Sequence, residues 1–248
     1  MKSYLFLITI VILILYFIFI ITTNGYILTT ICNFFYWVFE LHNEDSIPYY
    51  DTNNIDWCNL LRDNWKIIYE EYYQYSLNNK LKRFSEIDPV QNYLDTTDIP
   101  WEVVLLKAYN SDTKLLKHFP KTRELLLKTP CSYAMFSVLK PGKILAPHHG
   151  PYKGVLRYHL CIKAPSKKNT CFIKVKDEKY IWSEGEDVMF DDTLLHSAEN
   201  LSSETRVVLF LDIPRTFNNN MLNMINKTLL NYAKYNTTIK NMVNKANE

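Results

Sequence analysis

FSVLKPGKILAPHHGPYKGVLRYHL (Phe136–Leu160) and GEDVMFDDTLLHSAENLSSETRVVLFLD (Gly185–Asp212) carry the reading of this 248-residue chain. Short apolar runs alternate with turn pairs such as Pro141-Gly142 and Glu184-Gly185, the pattern of short antiparallel strands. The runs predict strands over Tyr133–Leu139, Lys143–Pro147, Leu156–Lys163, Thr170–Lys176, Lys179–Trp182, Asp187–Phe190, His196–Glu199 and Arg206–Asp212. Strands this short and this closely spaced argue for a sandwich or jelly-roll barrel.

Strand parity then sorts the polar residues. Arg157, His159 and Cys161 share one face of their strand, and Arg206, Val208, Phe210 and Asp212 share one face of the last. Cationic side chains aimed into a barrel are costly unless an anion meets them. A small dicarboxylate would satisfy both arginines, since guanidinium groups match planar carboxylates. The competing arrangement pairs Arg206 with an internal acid such as Asp212 or Asp191. His148 and His196 are the metal candidates, and only strands wrapped around a barrel mouth can bring them together. The common two-histidine, one-carboxylate iron site needs an acid two residues after the first histidine. Gly150 stands there, and His149 points the other way on an extended segment.

PHHGPYKGVLRYHL, FDDTLLHSAEN and the following Arg206 resemble the aspartyl/asparaginyl β-hydroxylase family of 2-oxoglutarate/Fe(II) dioxygenases. The likeness starts near Asn64-Trp65, passes through Phe119-Pro120-Lys121-Thr122 and Phe136-Ser137, and ends at Asp212. GEDVMFDDTLLHSAEN and RYHL resemble the lipid A hydroxylase branch, whose members carry an N-terminal membrane anchor. The peptide-hydroxylating branch carries a glycine at the acid position, as this chain does. The resemblance implies a mainly β, double-stranded β-helix (jelly-roll, cupin-like) barrel with flanking helices and an N-terminal transmembrane helix. It implies Fe(II) held by His148 and His196. Arg206 and Ser137 would hold the distal carboxylate of 2-oxoglutarate, with Arg157 and His159 near its proximal carboxylate. Asp191 and Asp192 would support the turn into His196. The implied reaction hydroxylates either a peptidyl aspartyl or asparaginyl side chain or a lipid acyl chain. The alternative is a catalytically silent relative that binds a ligand or partner, an option raised by Gly150.

Outside the barrel, Tyr4–Ile21 is apolar and uncharged, close to the ~20 residues that span a bilayer. An uncleaved anchor over residues 1–25 is expected rather than a signal peptide, because Thr22-Thr23-Asn24-Gly25 is a poor cleavage site. Residues 26–54 read as an interfacial segment, with Phe35, Tyr36 and Trp37 suited to the headgroup zone, followed by a linker. The dioxygenase-like domain is expected over 55–215, beginning with one helix from Ile55 to about Leu77 that Asn54 or Asp56 could cap. Trp101–Tyr109 reads as a strand and Pro120–Lys128 as a helix. Residues 216–248 read as one peripheral helix that frays at its end. A net charge of +2 with scattered lysines argues against nucleic acid as a partner. The five cysteines form no CxxC pair, and Cys161 and Cys171 read as buried thiols rather than a disulfide. Three Asn-X-Ser/Thr sequons lie at Asn200, Asn226 and Asn236.

Overall fold

The computed structural model describes residues 27–41, 47–88 and 98–248. In chain order the elements are α1 (Ile27–Glu40), β1 (Tyr49–Tyr50), α2 (Asp56–Asp63), α3 (Trp65–Asn78), β2 (Lys82–Arg83), α4 (Phe84–Ile87), β3 (Trp101–Ala108) and β4 (Ser111–Asp112). There follow α5 (Pro120–Leu126), β5 (Tyr133–Leu139), β6 (Ile144–His148), β7 (Val155–Lys163), β8 (Cys171–Val175), β9 (Glu178–Ile181), β10 (Asp187–Phe190), β11 (His196–Asn200) and β12 (Arg206–Pro214). Two helices close the order, α6 (Asn220–Ala233) and α7 (Thr237–Asn247).

All strand pairs are antiparallel. The larger sheet runs β1-β10-β7-β12-β5-β3-β2, with β4 on β3, and the smaller runs β6-β11-β8-β9. Strands β5 to β12 cross repeatedly between the two sheets, which makes the mainly β, jelly-roll winding expected from the strand spacing. Parity divides the larger sheet as the sequence alternation requires. Its inner face (Met135, Cys161, Phe190, Val208, Phe210) packs on Leu145, Ile173, Val175 and Ala198 of the smaller sheet. Its outer face (Phe136, Tyr158, Leu160, Leu209) is covered by Leu61, Ile68 and Tyr72 of α2 and α3 and by Leu125 of α5.

The expected helix over 55–77 is two helices. Asn64 (φ −108°, ψ 11°) breaks it, and its Nδ2 donates to the Leu60 carbonyl. Neither Asn54 nor Asp56 caps the start; the cap position is Ile55, with no side-chain hydrogen bond. The expected fraying tail is instead α6 and α7, each capped by an asparagine, Asn219 and Asn236. Ile239, Met242 and Ala246 of α7 join the inner core. Cys58, Cys131, Cys161 and Cys171 are free and buried. The sequon asparagines Asn200 and Asn226 are buried structural residues, not exposed acceptors. The Asn226 amide, 1 % exposed, binds the Gly154 and Arg215 carbonyls and accepts from Tyr152 Oη.

The anchor expected over residues 1–25 lies outside the described residues. Among the described residues no helix is long and apolar enough to cross a membrane. α1 packs on the barrel: Phe39 is fully buried, its ring stacked 4.6 Å from Phe217 and 5.9 Å from Tyr152. Phe35 joins that cluster, so it faces inward, whereas Phe34, Trp37 and Leu41 face outward, Trp37 being 69 % exposed.

Candidate active site

β6 and β11 are neighbours in the smaller sheet, and the register sets His196 directly opposite His148. Their ring centroids are 4.1 Å apart. His148 Nδ1 lies 2.7 Å from the Ala146 carbonyl and His196 Nδ1 lies 2.9 Å from the Leu194 carbonyl. A carbonyl oxygen only accepts, so each Nδ1 carries the proton and each Nε2 keeps its lone pair. Burial, foremost, keeps both rings neutral: it lowers the pKa of His148, and that of His196 falls to about 3 with His148 as the next cause. Two adjacent neutral imidazoles with backbone-fixed tautomers are a donor set for a transition metal. Among the described residues no third His, Cys, Asp or Glu joins them in a metal-binding cluster.

Asp192 explains the position where an acid was expected. A Cβ on Gly150 would lie 2.1 Å from Asp192 Oδ2, and the Gly150 amide donates to the Asp192 carbonyl at 2.7 Å. The buried carboxyl of Asp192 therefore fills the space that a side chain at 150 would need. Burial raises its pKa to about 6, against the pull of Arg157. Gly150→Asp is expected to destabilise the fold by about 2 kcal/mol or more, through overpacking and like-charge repulsion. Urea unfolding of Gly150→Asp, alone and with Asp192→Gly, measures this, and the second change should recover most of the loss.

The two arginines differ. Arg157 is committed inside the protein: Nη2 pairs with Asp192 Oδ2 at 3.0 Å, Nε with Asp212 Oδ1 at 3.1 Å, and the guanidinium lies 4.2 Å from the Phe210 ring centre. Arg206, 2 % exposed, has no acidic partner among the described residues. The two acids named as its possible partners are paired elsewhere, Asp212 with Arg157 and Asp191 with Lys153 and Arg215. Its Nη1 donates to the Ser137 carbonyl at 3.1 Å, its Nε has no partner, and Trp182 lies beneath it at 5.2 Å. Burial pulls its pKa below the usual arginine value. Ser137 Oγ accepts from Trp101 Nε1 at 2.9 Å, leaving the serine proton available to an acceptor.

His159 completes the group. It is packed among Trp182, Phe190 and Phe210, and among the described residues neither ring nitrogen has a hydrogen-bond partner. Burial first, then the charges of Arg206 and Arg157, hold its pKa well below the ordinary value. The aromatic rings around His159 also touch the other site residues, Trp182 meeting Arg206, Phe190 meeting His196 and Phe210 meeting Arg157, so the inner face gathers these side chains into one region. Unpartnered donors on Arg206 and His159 are unusual in a buried site and fit a carboxylate guest.

The residues that sequence reasoning missed lie behind His196. Lys153, 1 % exposed, donates to Asp191 Oδ2 (2.7 Å) and Thr193 Oγ1 (3.1 Å), and pairs with Glu40 Oε2 (2.9 Å). Arg215 Nη2 also meets Asp191 Oδ2 at 2.7 Å. Asp191 holds the turn into His196, accepting from the Thr193 amide and hydroxyl. Burial raises its pKa, yet Arg215 and Lys153 bring the net value below that of an ordinary aspartate. Lys153 and Arg215 sit just outside apolar strands, where a charge ordinarily reads as a solvated strand end.

A family profile described as Aspartyl/Asparaginyl beta-hydroxylase matches residues 62–216, more than half of the chain and including every one of these side chains except Glu40. The chain belongs to the aspartyl/asparaginyl β-hydroxylase family. Within this family it is similar to the ornithine lipid ester-linked acyl 2-hydroxylase of Rhizobium tropici, 32 % identical over 200 residues, covering 78 % of this chain and 69 % of the relative. It is also 27 % identical over 190 residues to the human aspartyl/asparaginyl beta-hydroxylase, covering 71 % of this chain and 24 % of that protein. The chain thus spans about a quarter of the human relative's length. Among solved structures, KdgF from Halomonas sp. aligns with a TM-score of 0.31 at 15 % identity, covering 49 % of this chain and 86 % of that one.

Proposed function

We propose that this family member is a membrane-associated Fe(II)/2-oxoglutarate-dependent hydroxylase acting on a lipid acyl chain. The observation that carries the reading is Arg206, a buried guanidinium without a carboxylate, set in the same inner region as two neutral histidines with backbone-fixed tautomers. His148 and His196 would hold the iron through Nε2. Arg206 and the Ser137 hydroxyl would bind the distal carboxylate of 2-oxoglutarate, and His159 would donate near its proximal end. Arg157 pairs with both Asp192 and Asp212, which offsets part of their negative charge beside the carboxylate site. When bound, the iron and 2-oxoglutarate supply the oxidation, with O2 converting a substrate C–H to C–OH and 2-oxoglutarate to succinate and carbon dioxide. The protein's share is to bind, orient and exclude water.

The lipid substrate is supported by the acyl-hydroxylase relative, matched over most of both chains, and by the apolar surface of α1. Membrane association is supported by the uncharged stretch Tyr4–Ile21 and by the outward-facing Phe34, Trp37 and Leu41 that follow it. The test is succinate release with Fe(II), supplying either an acyl lipid in mixed micelles or an aspartyl/asparaginyl peptide. His148→Ala and His196→Ala are each expected to weaken metal binding by more than the ~10–100-fold typical of outer-sphere changes, and to reduce turnover to background. Unchanged metal binding in both variants would remove the site assignment. Coupled turnover with the peptide alone would replace the lipid by the peptide.

A further inference from the structure

Lys153 donates two hydrogen bonds, to Asp191 and Thr193, and pairs ionically with Glu40, so its partners come from different parts of the chain. Asp191 and Thr193 belong to the turn that leads into His196, while Glu40 is the last residue of α1. Burial lowers the lysine pKa, but the bonds to Asp191 and Glu40 outweigh it, so the group stays charged. The four charges in contact here are Lys153, Arg215, Asp191 and Glu40, and they sum to zero only when Glu40 is included. The links continue along the turn. Thr193 Oγ1 donates to Asp191 Oδ1, the Thr193 carbonyl accepts from His149 Nδ1, and the next carbonyl, Leu194, fixes the tautomer of His196.

We propose that Glu40 is a positioning residue for His196: by completing the shell of Lys153, α1 holds the Asp191–Leu194 turn, and with it the metal-binding face of the site. The inference rests on the reading of His148 and His196 as metal ligands. Phe39 supplies the other half of the attachment, since its ring fills the space between Tyr152 and Phe217. α1 directly follows the apolar N-terminal stretch, so a helix whose outer face suits a lipid surface is bonded at its inner end to the site. Any influence that unseats α1 should then reach the affinity for metal.

The experiment titrates the full-length protein in detergent with Co(II), reading the visible d–d bands and the affinity, and follows urea unfolding in parallel. Glu40→Gln is expected to bind Co(II) about 10–100-fold more weakly than wild type. Glu40→Asp, which keeps the charge, should fall between the two, and Glu40→Gln should add little to the loss already caused by Lys153→Met. Trp37→Ala, on the outer face, should bind as wild type does in detergent. Wild-type affinity and bands in Glu40→Gln, with binding lost in His196→Ala, would overturn the role of Glu40 and leave the metal site standing. Wild-type affinity in both His148→Ala and His196→Ala would instead overturn the metal site. A fall in urea stability of Glu40→Gln with unchanged Co(II) affinity would make Glu40 a structural residue only, which also overturns the proposal.

Discussion

Arg206→Met is expected to make the protein more stable and catalytically dead. The guanidinium is buried, its Nε is unpartnered and no carboxylate offsets its charge, so an apolar side chain of similar length removes a desolvation cost. Replacing buried ionic groups with well-packed apolar ones stabilises by roughly 1–4 kcal/mol, and an unpaired cation stands at the favourable end. On the proposed function, the same change would also remove the charge-assisted hydrogen bonds that hold the 2-oxo acid. At about 1.5–3 kcal/mol each, two such bonds correspond to roughly 10²–10⁴ in affinity. Urea unfolding should show a higher midpoint, while kcat/KM for 2-oxoglutarate falls by at least ~10². A lower midpoint would mean that an internal anion already satisfies Arg206. Retained turnover would mean that the carboxylate is held elsewhere.

Lys153→Met should act in the opposite direction on stability. Removing one member of a buried ionic network strands the others, at a typical cost of about 3–5 kcal/mol. Asp191 keeps Arg215 as a partner at 2.7 Å, which places the expected loss near the lower end. Two features make the prediction specific. The effects of Lys153→Met and Asp191→Asn should be non-additive, because the two share one buried ion pair, and the size of the non-additivity measures that pair. Adding a change at Lys167, exposed on the loop between β7 and β8, should be additive. A loss in Lys153→Met no larger than a typical surface change, about 0.5 kcal/mol, would show that water reaches this lysine.

The contrast between these two side chains explains what the sequence made legible. Periodicity exposes whatever alternates with the pleat, so the strands from β5 to β12 and the inward direction of Arg157, His159 and Arg206 could be read directly. Even the 48-position gap between His148 and His196 was intelligible once the strands were taken to wind between two sheets. Partner choice was not legible. Asp212 meets Arg157 because the register sets the two opposite each other on adjacent strands, whereas Arg206 lies six positions along Asp212's own strand, and that register is not written in the alternation. Lys153 lies in a loop with no period at all, and its three partners are 38, 40 and 113 positions away. The break at Asn64 was hidden for a different reason: the apolar spacing continues through it, and only the backbone angles reveal the change of direction.

The placement of α7 has a consequence for how the molecule is made. The inner core draws its residues from Phe84 through to Ala246, so the cavity between the sheets stays open on one side until the end of that span has been synthesised. Contacts this distant in sequence form slowly, since a long loop must close before burial rewards it. During that interval the apolar side chains that α7 covers, among them Trp101, Val103 and Leu105 of β3, stay exposed, a state prone to association. Shortening the chain ahead of Ile239 should therefore lower the yield of soluble protein well before it affects any residue of the site.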